Sequence, residues 1–542
     1  MLDNLPILSL ITFSPLLGVL VLLFIRKDKG SLIKTIAIVT TLIPLLLAGW
    51  LYASYQHQAD PLQFKEQLNW IKVPLNKESV QQLTSYFFEF KYSLAIDGLS
   101  LPLVFLTALV CTMAALASVY IKKRWKTFYI LFLLLETGIF GVFMAQDLFL
   151  FFVFFEVTLV PTFFLIGIWG YMNREKAANR FLIYNGLGSA IMLIAFLILV
   201  STAGFNQVPS QTEFTIYYSG DIQTIAHNLL QDPQSYANQA NPQNPFYLTS
   251  TLKWSVFIML LVAFGIKLPI FPFHTWMLKV HTEAPPSIVM IHSGILLKMG
   301  AYGLIRFGIL FFPAEAKQWA WVLALLGVIN ILYGAVLALV QKDFKLVLAY
   351  SSISHMGIVL LGLAAFNVTG MEGAVFQLVS HGLISALMFL LVGSFYERTE
   401  STELSRLGGM ASSLPFMSGI LLIAGMASLG LPGLSGFISE FMAFLGLFDT
   451  HRIYTAVGTL GIILTAVYVL RGVMGITFGP MPERLQGHTM RDARLVEAVP
   501  MIALVAFILL LGVFPSVLSQ PLQQTIGGFD QLIQSVAGKI GG

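Results

Sequence analysis

The chain has 542 residues, of which 57% are apolar and only 11% charged, and its mean hydropathy is +0.80. Soluble domains carry about 25% charged residues, so a string of soluble domains is excluded and one polytopic membrane bundle is implied. The formal net charge of +4 is small and nothing in it points to a nucleic-acid partner; the single cysteine, Cys111, can form neither an internal disulfide nor a four-thiolate cluster and reads as a packing residue.

A membrane-crossing helix needs about 20 apolar residues. Fourteen stretches meet that test in chain order, near 5–25, 31–52, 97–120, 128–145, 148–170, 178–203, 254–278, 286–311, 318–340, 345–365, 371–396, 415–445, 454–478 and 497–518. The first follows Asp3 in place of a basic segment and has no small-residue cleavage site, so it reads as a retained span. Polar stretches at 53–94 and 204–252 interrupt the series. Lysine and arginine gather in alternate short connections, at Arg26–Lys29, Lys122–Lys126, Arg174–Arg180 and Lys342–Lys345. That bias puts those connections in the cytoplasm, and both termini and both long loops on the lumenal or periplasmic side.

The fold class expected is therefore an all-α polytopic membrane protein of about 14 transmembrane helices. Two of them are interrupted. The seventh contains Lys267-Leu268-Pro269-Ile270-Phe271-Pro272 and the twelfth Leu431-Pro432-Gly433-Leu434-Ser435-Gly436. Proline removes a backbone donor, and broken helices in corresponding halves point to inverted repeats with a site near the midplane. Two unrelated proline kinks are the alternative. Breaks five helices apart give two inverted five-helix repeats, with broken seventh and twelfth helices. The chain then divides into an N-terminal three-helix segment with an external loop (1–127), a first repeat (128–311), a second repeat (312–480), and a last helix with a short tail (481–542).

Ionisable groups inside these spans are the candidate site. A charge at mid-bilayer costs roughly 2.5–3.5 kcal/mol on insertion scales. Glu156 (FFVFFEVTLVP), Lys267 (AFGIKLPIFP) and Lys298 (GILLKMGAYG) all lie in apolar runs. Glu156 is the natural partner of Lys267, either as a switchable pair or as a static one that fixes packing. Lys298 has no acid beside it in the sequence, which suits a relay. Arg306 is expected to be structural, because arginine does not release its proton. His355 and His381 follow, with Ser351, Ser352, Ser354, Ser380 and Ser385 able to hold water nearby, and Glu440 lies beyond the second break. Glu136 is a further intramembrane acid, Asp147 and Asp343 lie at helix ends, and His292 receives no role. No histidine pair has metal-ligand spacing. Gly186-Leu187-Gly188 lacks the third glycine of a dinucleotide fingerprint.

The strings FFEVTLVPTFFLIGIWG, AFGIKLPIFPFHTWMLKVHTEAP, GILLKMGAYGLIRF, DFKLVLAYSSISHMG and LPGLSGFISEF resemble the antiporter-like subunits of respiratory complex I, of the NdhD/NuoM type. Glu440 supports that type, since sister subunits usually carry lysine there. The wording is similar to the cyanobacterial or chloroplast form. The resemblance implies a proton relay through Glu156, Lys267, Lys298, His355, His381 and Glu440, with Glu440 facing the exit. It implies no cofactor or metal in this chain. Plastoquinone, iron–sulfur clusters, and NAD(P)H or ferredoxin would be handled by other subunits of a thylakoid complex. Partners would be other membrane subunits, including adjacent antiporter-like ones, and lipids. The tail from 520 to 542 is too short for the long lateral helix of the most distal sister. A subunit of a multi-subunit sodium/proton antiporter is the alternative, and a scaffold whose ion pairs only hold helices together is a third reading.

Overall fold

The computed structural model describes residues 5–56, 60–75, 84–209, 214–241, 243–487 and 489–540, and Asp3 lies outside them. Thirteen of its helices are long and apolar enough to cross a membrane, so the chain is a multi-pass membrane protein. They are α1 (Ile7–Phe24), α2 (Gly30–Ser54), α3 (Ser100–Ala117), α4 (Trp125–Met144), α5 (Leu148–Trp169), α6 (Arg174–Thr202), α7a (Ser250–Lys267), α8 (Pro286–Ile309), α9 (Ala320–Val340), α10 (Phe344–Ala364), α11 (Val368–Thr399), α13 (Arg452–Thr477) and α14 (Leu495–Val513). The other expected span is divided into α12a (Pro415–Ser428) and α12b (Ser435–Thr450), each too short to cross alone. The seventh is likewise divided, and α7b (Thr275–Glu283) completes it. Every residue in the apolar windows of α8 and α11 is buried, whereas α1, α2, α6, α13 and α14 turn more than half of theirs outward. A helix apolar all round is one that protein or lipid surrounds; here α8 and α11 are the inner ones.

The two long polar stretches, read from the sequence only as loops, build a small sheet. Strands β1 (Gln63–Pro74) and β2 (Thr84–Ile96) come from the first, and β3 (Phe205–Pro209) and β4 (Phe214–Ser219) from the second. The order is β1-β2-β4-β3, with β2 and β4 parallel. Phe88 stacks on Tyr218 with centroids 4.7 Å apart. One sheet spanning both loops places them on the same side of the bundle. A helix α15 (Ser516–Ile540) follows α14 and packs against α11, where the sequence suggested a short tail. The Gly98 N–H donates to Thr525 Oγ1 of this helix at 2.9 Å.

The repeats show in how the helices pack. α4 lies on α5 and α5 on α6, as α9 lies on α10 and α10 on α11; α6 holds both halves of the seventh helix, as α11 holds both halves of the twelfth. The second helix of each repeat is also capped alike. Asp147 accepts from Phe149 N and Leu150 N at 2.9 and 3.2 Å, and Asp343 from Lys345 N and Leu346 N at 2.8 and 3.3 Å. Side-chain acceptors at this position satisfy orphan helix donors. Five spans separate the two caps, so they sit on opposite sides of the membrane.

Asp147 lies outside the spans, and burial pushes its carboxyl from 3.8 up to about 6, against backbone hydrogen bonds from Lys91, Leu150 and Phe149 that pull it down. A raised folded value favours the protonated form. Its stabilising contribution is therefore full below about pH 3.8 and is lost as pH rises through 6, by about 3 kcal/mol. The expected result is that Asp147→Asn gains thermal stability relative to the parent between pH 4 and 7. A gap between their melting temperatures that does not change with pH would contradict it.

Arg306 takes the structural role expected of it. It forms a buried ion pair with Asp97, whose other oxygen accepts from Leu99 N at 3.1 Å and from Ser100 N at 2.9 Å. Asp97→Ala strands the guanidinium, which costs about 3–5 kcal/mol. The expected outcome is a large fall in the yield and melting temperature of folded protein, measured by fluorescence-detected gel filtration.

Candidate functional site

The break in the seventh helix gives the site its first anchor. Helix α7a ends at Lys267, and the backbone is not helical again until Thr275. Freed backbone groups in a membrane need protein partners, and Asn330 of α9 supplies them. Its Oδ1 accepts from Phe271 N at 2.8 Å and its Nδ2 donates to Pro269 O at 3.3 Å. Trp276 Nε1 donates to Ile266 O at 3.1 Å across the gap. Lys267 is thereby fixed at a helix end in the protein interior, 2% exposed.

Lys267 and Glu156 do not form the direct ion pair expected from the sequence. No salt bridge within 4.0 Å joins them. Instead Lys267 Nζ lies 5.0 Å from the centre of the Phe155 ring and 5.6 Å from that of Phe181, a cation between two aromatic faces. The neighbouring Glu156 stays within electrostatic reach, and its Oε1 is buried with no hydrogen-bond partner. The rings of α5 and α6 hold the ammonium, so the carboxylate is left beside it and not on it.

Two histidines stand between the lysines. His281 of α7b and His292 of α8 are fully buried, with His281 Nε2 2.9 Å from His292 Nδ1. Both Lys267 and Lys298 act electrostatically on His292. The outward nitrogens, His281 Nδ1 and His292 Nε2, have no hydrogen-bond partner. Sequence reasoning assigned His292 no role and did not single out His281. The available signal was their position, eleven residues apart in chain and flanked by Lys267 and Lys298.

Lys298 is fully buried in α8. A π-helical turn over His292–Leu296 precedes it, and such turns shift the backbone bonding pattern, often at functional sites. Lys298 Nζ donates to the Ser293 carbonyl at 2.5 Å and lies 2.8 Å from His381 Nδ1. The His381 and His355 ring centres are 5.3 Å apart. His355 Nδ1 then lies 3.5 Å from Glu440 Oε1 and 3.1 Å from Gln377 Nε2, while Ser428 Oγ is 3.4 Å from its Nε2. Ser439 Oγ donates to Gln377 Oε1 at 2.5 Å, and Ser380 and Ser435 are 2.8 Å apart. Four of the six residues read from the sequence thus form one run: Lys298, His381, His355, Glu440. Two small cavities flank it, and His355, His381 and Ser428 line both. Each has room for about one water molecule.

Close helix packing builds the far end. A Cβ on Gly373 of α11 would meet Ala443 N of α12b at 2.3 Å, so only glycine lets these helices touch. That contact sets Gln377 and His381 against Ser439 and Glu440. Gly430 in the break has φ +77°, and a Cβ there would lie 2.8 Å from Glu440 Oε2. Glu136 lies apart from this run, fully buried in α4 with both oxygens unpartnered.

Buried titratable groups, set in a run across inverted repeats, define a membrane subunit of the antiporter-like, proton-translocating class. The family model for the NADH:quinone oxidoreductase/Mrp antiporter membrane region matches residues 145–465, and that for the amino terminus of NADH-ubiquinone oxidoreductase chain 4 matches 67–142. NADH-quinone oxidoreductase subunit M of Rickettsia conorii is 34% identical over 520 residues, covering 95% of this chain and 96% of the relative. NAD(P)H-quinone oxidoreductase chain 4 2 of Thermosynechococcus vestitus is 36% identical over 526 residues, covering 95% and 90%. A chain in the structure of respiratory complex I from Thermus thermophilus superposes with a TM-score of 0.78 at 27% identity, covering 97% of this chain and 99% of that one. The chain belongs to the family of proton-antiporter-like membrane subunits of NADH:quinone oxidoreductase, as a subunit of the chain 4, or subunit M, type. The match to the chain 4 amino terminus and the full-length likeness to quinone oxidoreductase subunits leave the free-standing antiporter as a distant alternative.

Proposed function

We propose that Glu156, Lys267, Lys298, His381, His355 and Glu440 form a lateral proton route through this membrane subunit of an NAD(P)H-quinone oxidoreductase, with His281 and His292 joining its two halves. The observation that carries the proposal is the buried run from Lys298 to Glu440, in which each group faces the next. Electron transfer takes place in neighbouring subunits, and the free energy reaches this chain as a shift in charge. Moving one proton against about 150 mV takes roughly 3.5 kcal/mol, a size that separation of a buried ion pair can supply. Approach of Glu156 to Lys267 favours the ammonium, and withdrawal favours release of its proton. The present geometry, with Lys267 held between rings, fits the withdrawn state.

The strings shared with the chain 4 form of oxygenic phototrophs favour a thylakoid complex that reduces plastoquinone. NAD(P)H or ferredoxin and the iron–sulfur clusters belong to its other subunits. The distribution of basic residues favours both termini and the sheet on the lumenal side. The test is Lys267→Ala in the assembled complex: quinone reduction continues and acidification of inverted vesicles stops. Pumping at the parent proton-to-electron ratio in an assembled Lys267→Ala complex would reject the route.

A further inference from the structure

Away from the buried axis, a strongly charged feature lies at the membrane interface, on the side of the short basic connections. An open cavity of about 690 Å³ lies between the end of α3, the end of α11 and the connection that leads into α14. Five cations line it, Lys122, Arg398, Arg484, Arg491 and Arg494, against two carboxylates, Glu397 and Glu400. Two of the cations are engaged by the protein. Arg398 holds Glu497 through both terminal nitrogens at 2.9 Å and donates from Nε to Arg491 O at 2.8 Å, while Arg484 donates to the Thr399 carbonyl. Asp492 is turned away, accepting from Phe416 N at 2.8 Å and Met417 N at 3.3 Å at the start of α12a. Among the described residues no salt bridge within 4.0 Å involves Lys122, Arg491 or Arg494, and all three are exposed. Even with Glu497 counted beside Glu397 and Glu400, five cations face three carboxylates, so the balance is positive, and among the described residues three of the cations make no direct ion pair.

A second observation says what kind of anion fits. Leu495 follows Arg494 directly and is 82% exposed. Val499, Ile502, Leu509 and Val513 continue from it as exposed apolar residues at helical spacing, one stripe along the whole of α14. A phosphate ion would use the cations only. An acidic protein segment would also use the cations but would not follow a stripe that faces the bilayer. One amphiphile uses both. We propose that this cavity binds the headgroup of an anionic membrane lipid, with its phosphodiester held by Lys122, Arg491 and Arg494 and an acyl chain lying along α14. Basic pockets between transmembrane helices on the cytoplasmic side suit such headgroups.

The test uses the intact, detergent-purified complex and native mass spectrometry with phosphatidylglycerol, phosphatidylcholine and inorganic phosphate as probes. Phosphatidylglycerol is expected to be retained in preference to phosphatidylcholine, and excess inorganic phosphate is expected not to displace it. The triple variant Lys122→Gln/Arg491→Gln/Arg494→Gln should bind it on the order of a hundredfold more weakly. Lys122→Arg/Arg491→Lys/Arg494→Lys should restore binding. A readout on the parent complex needs no variant: phosphatidylglycerol should protect Arg491 and Arg494 from phenylglyoxal, and phosphatidylcholine should not. Unchanged retention in the glutamine variant, displacement by phosphate alone, equal retention of phosphatidylcholine, or no protection of the two arginines would each overturn the proposal. So would a glutamine variant that releases a neighbouring subunit while keeping its lipid, since the cations would then belong to a protein contact.

Discussion

Lys298→Met and Lys298→Arg are both expected to lower the number of protons moved per electron by roughly a hundredfold or more, the scale of a positioned acid–base group, in complexes that still assemble. Methionine keeps most of the volume and removes the charge. It forfeits the bonds to the Ser293 carbonyl and His381 Nδ1, worth about 1 kcal/mol each. Against that loss, it relieves the cost of a lone charge in a fully buried helix. Arginine discriminates between two roles for the residue. It preserves the positive charge and can still donate to both partners, but it does not give up a proton. If Lys298 acted only as a fixed charge that orients His381, Lys298→Arg would pump and Lys298→Met would not. Under a relay both fail, because neither side chain can hand a proton on to His381 Nδ1. The measurement is acidification of inverted vesicles per quinone reduced. Parent-level pumping by the arginine variant would remove Lys298 from the route.

The parts of this site that could be read from the sequence are those where a charge violates the hydrophobic pattern. Lys267, Lys298 and Glu440 stand out because each interrupts an apolar run. The two breaks were legible because proline inside a helix has few tolerated settings. What sits around the breaks was not. Asn330 occupies an apolar run of α9, and only the folded chain shows that it satisfies the open backbone at Pro269 and Phe271. His281 falls in KVHTEAP, where a polar context looks like the end of a span; the break moves α7b inward and makes the residue fully buried. Charge alone predicts the Glu156–Lys267 pairing, and charge does not count the rings of Phe155 and Phe181 that hold the ammonium. The sheet was missed for a related reason. Its strands come from two loops 110 or more residues apart, and β2 pairs with β4 only because α2, α3, α6 and α7a deliver both loops to one side.

The axis is not uniformly connected, which bears on how it could pump. From Lys298 onward each group is within reach of the next or of a cavity that the two share. Between Lys267 and Lys298 the contacts are of another kind. Lys267 faces aromatic rings, and His281 and His292 bond to each other while their outward nitrogens stay unpartnered. A route open at every link would dissipate the gradient, so one closed segment is required of a pump at any moment. Under the proposed route that segment is the Lys267–His292 gap, which a proton crosses when Glu156 has withdrawn and Lys267 leaves the rings for His292.

Glu440→Gln is expected to abolish pumping while leaving the complex at least as stable as the parent. Glu440 is 6% exposed, and its nearest basic group is His355, at 3.5 Å. A carboxylate in that setting carries a desolvation cost that one histidine only partly offsets. Glutamine has nearly the same shape, can take the carboxylate's place beside His355, and carries no charge to bury. A role in holding α12b to α11 would therefore survive the substitution, because Gly373 on Ala443 and Ser439 on Gln377 make that contact. A role in passing protons would not survive, because an amide does not titrate. The two roles give opposite results in one pair of measurements: melting temperature, expected unchanged or higher, and protons per quinone reduced, expected to fall roughly a hundredfold. Glu440→Asp sharpens the contrast. It keeps a titrating carboxyl but draws it back from His355 by about one bond length, so pumping should be slowed and not lost. A Glu440→Gln complex that pumps at the parent ratio would place the exit elsewhere, and Glu136, buried and unpartnered in α4, would be the next acid to test.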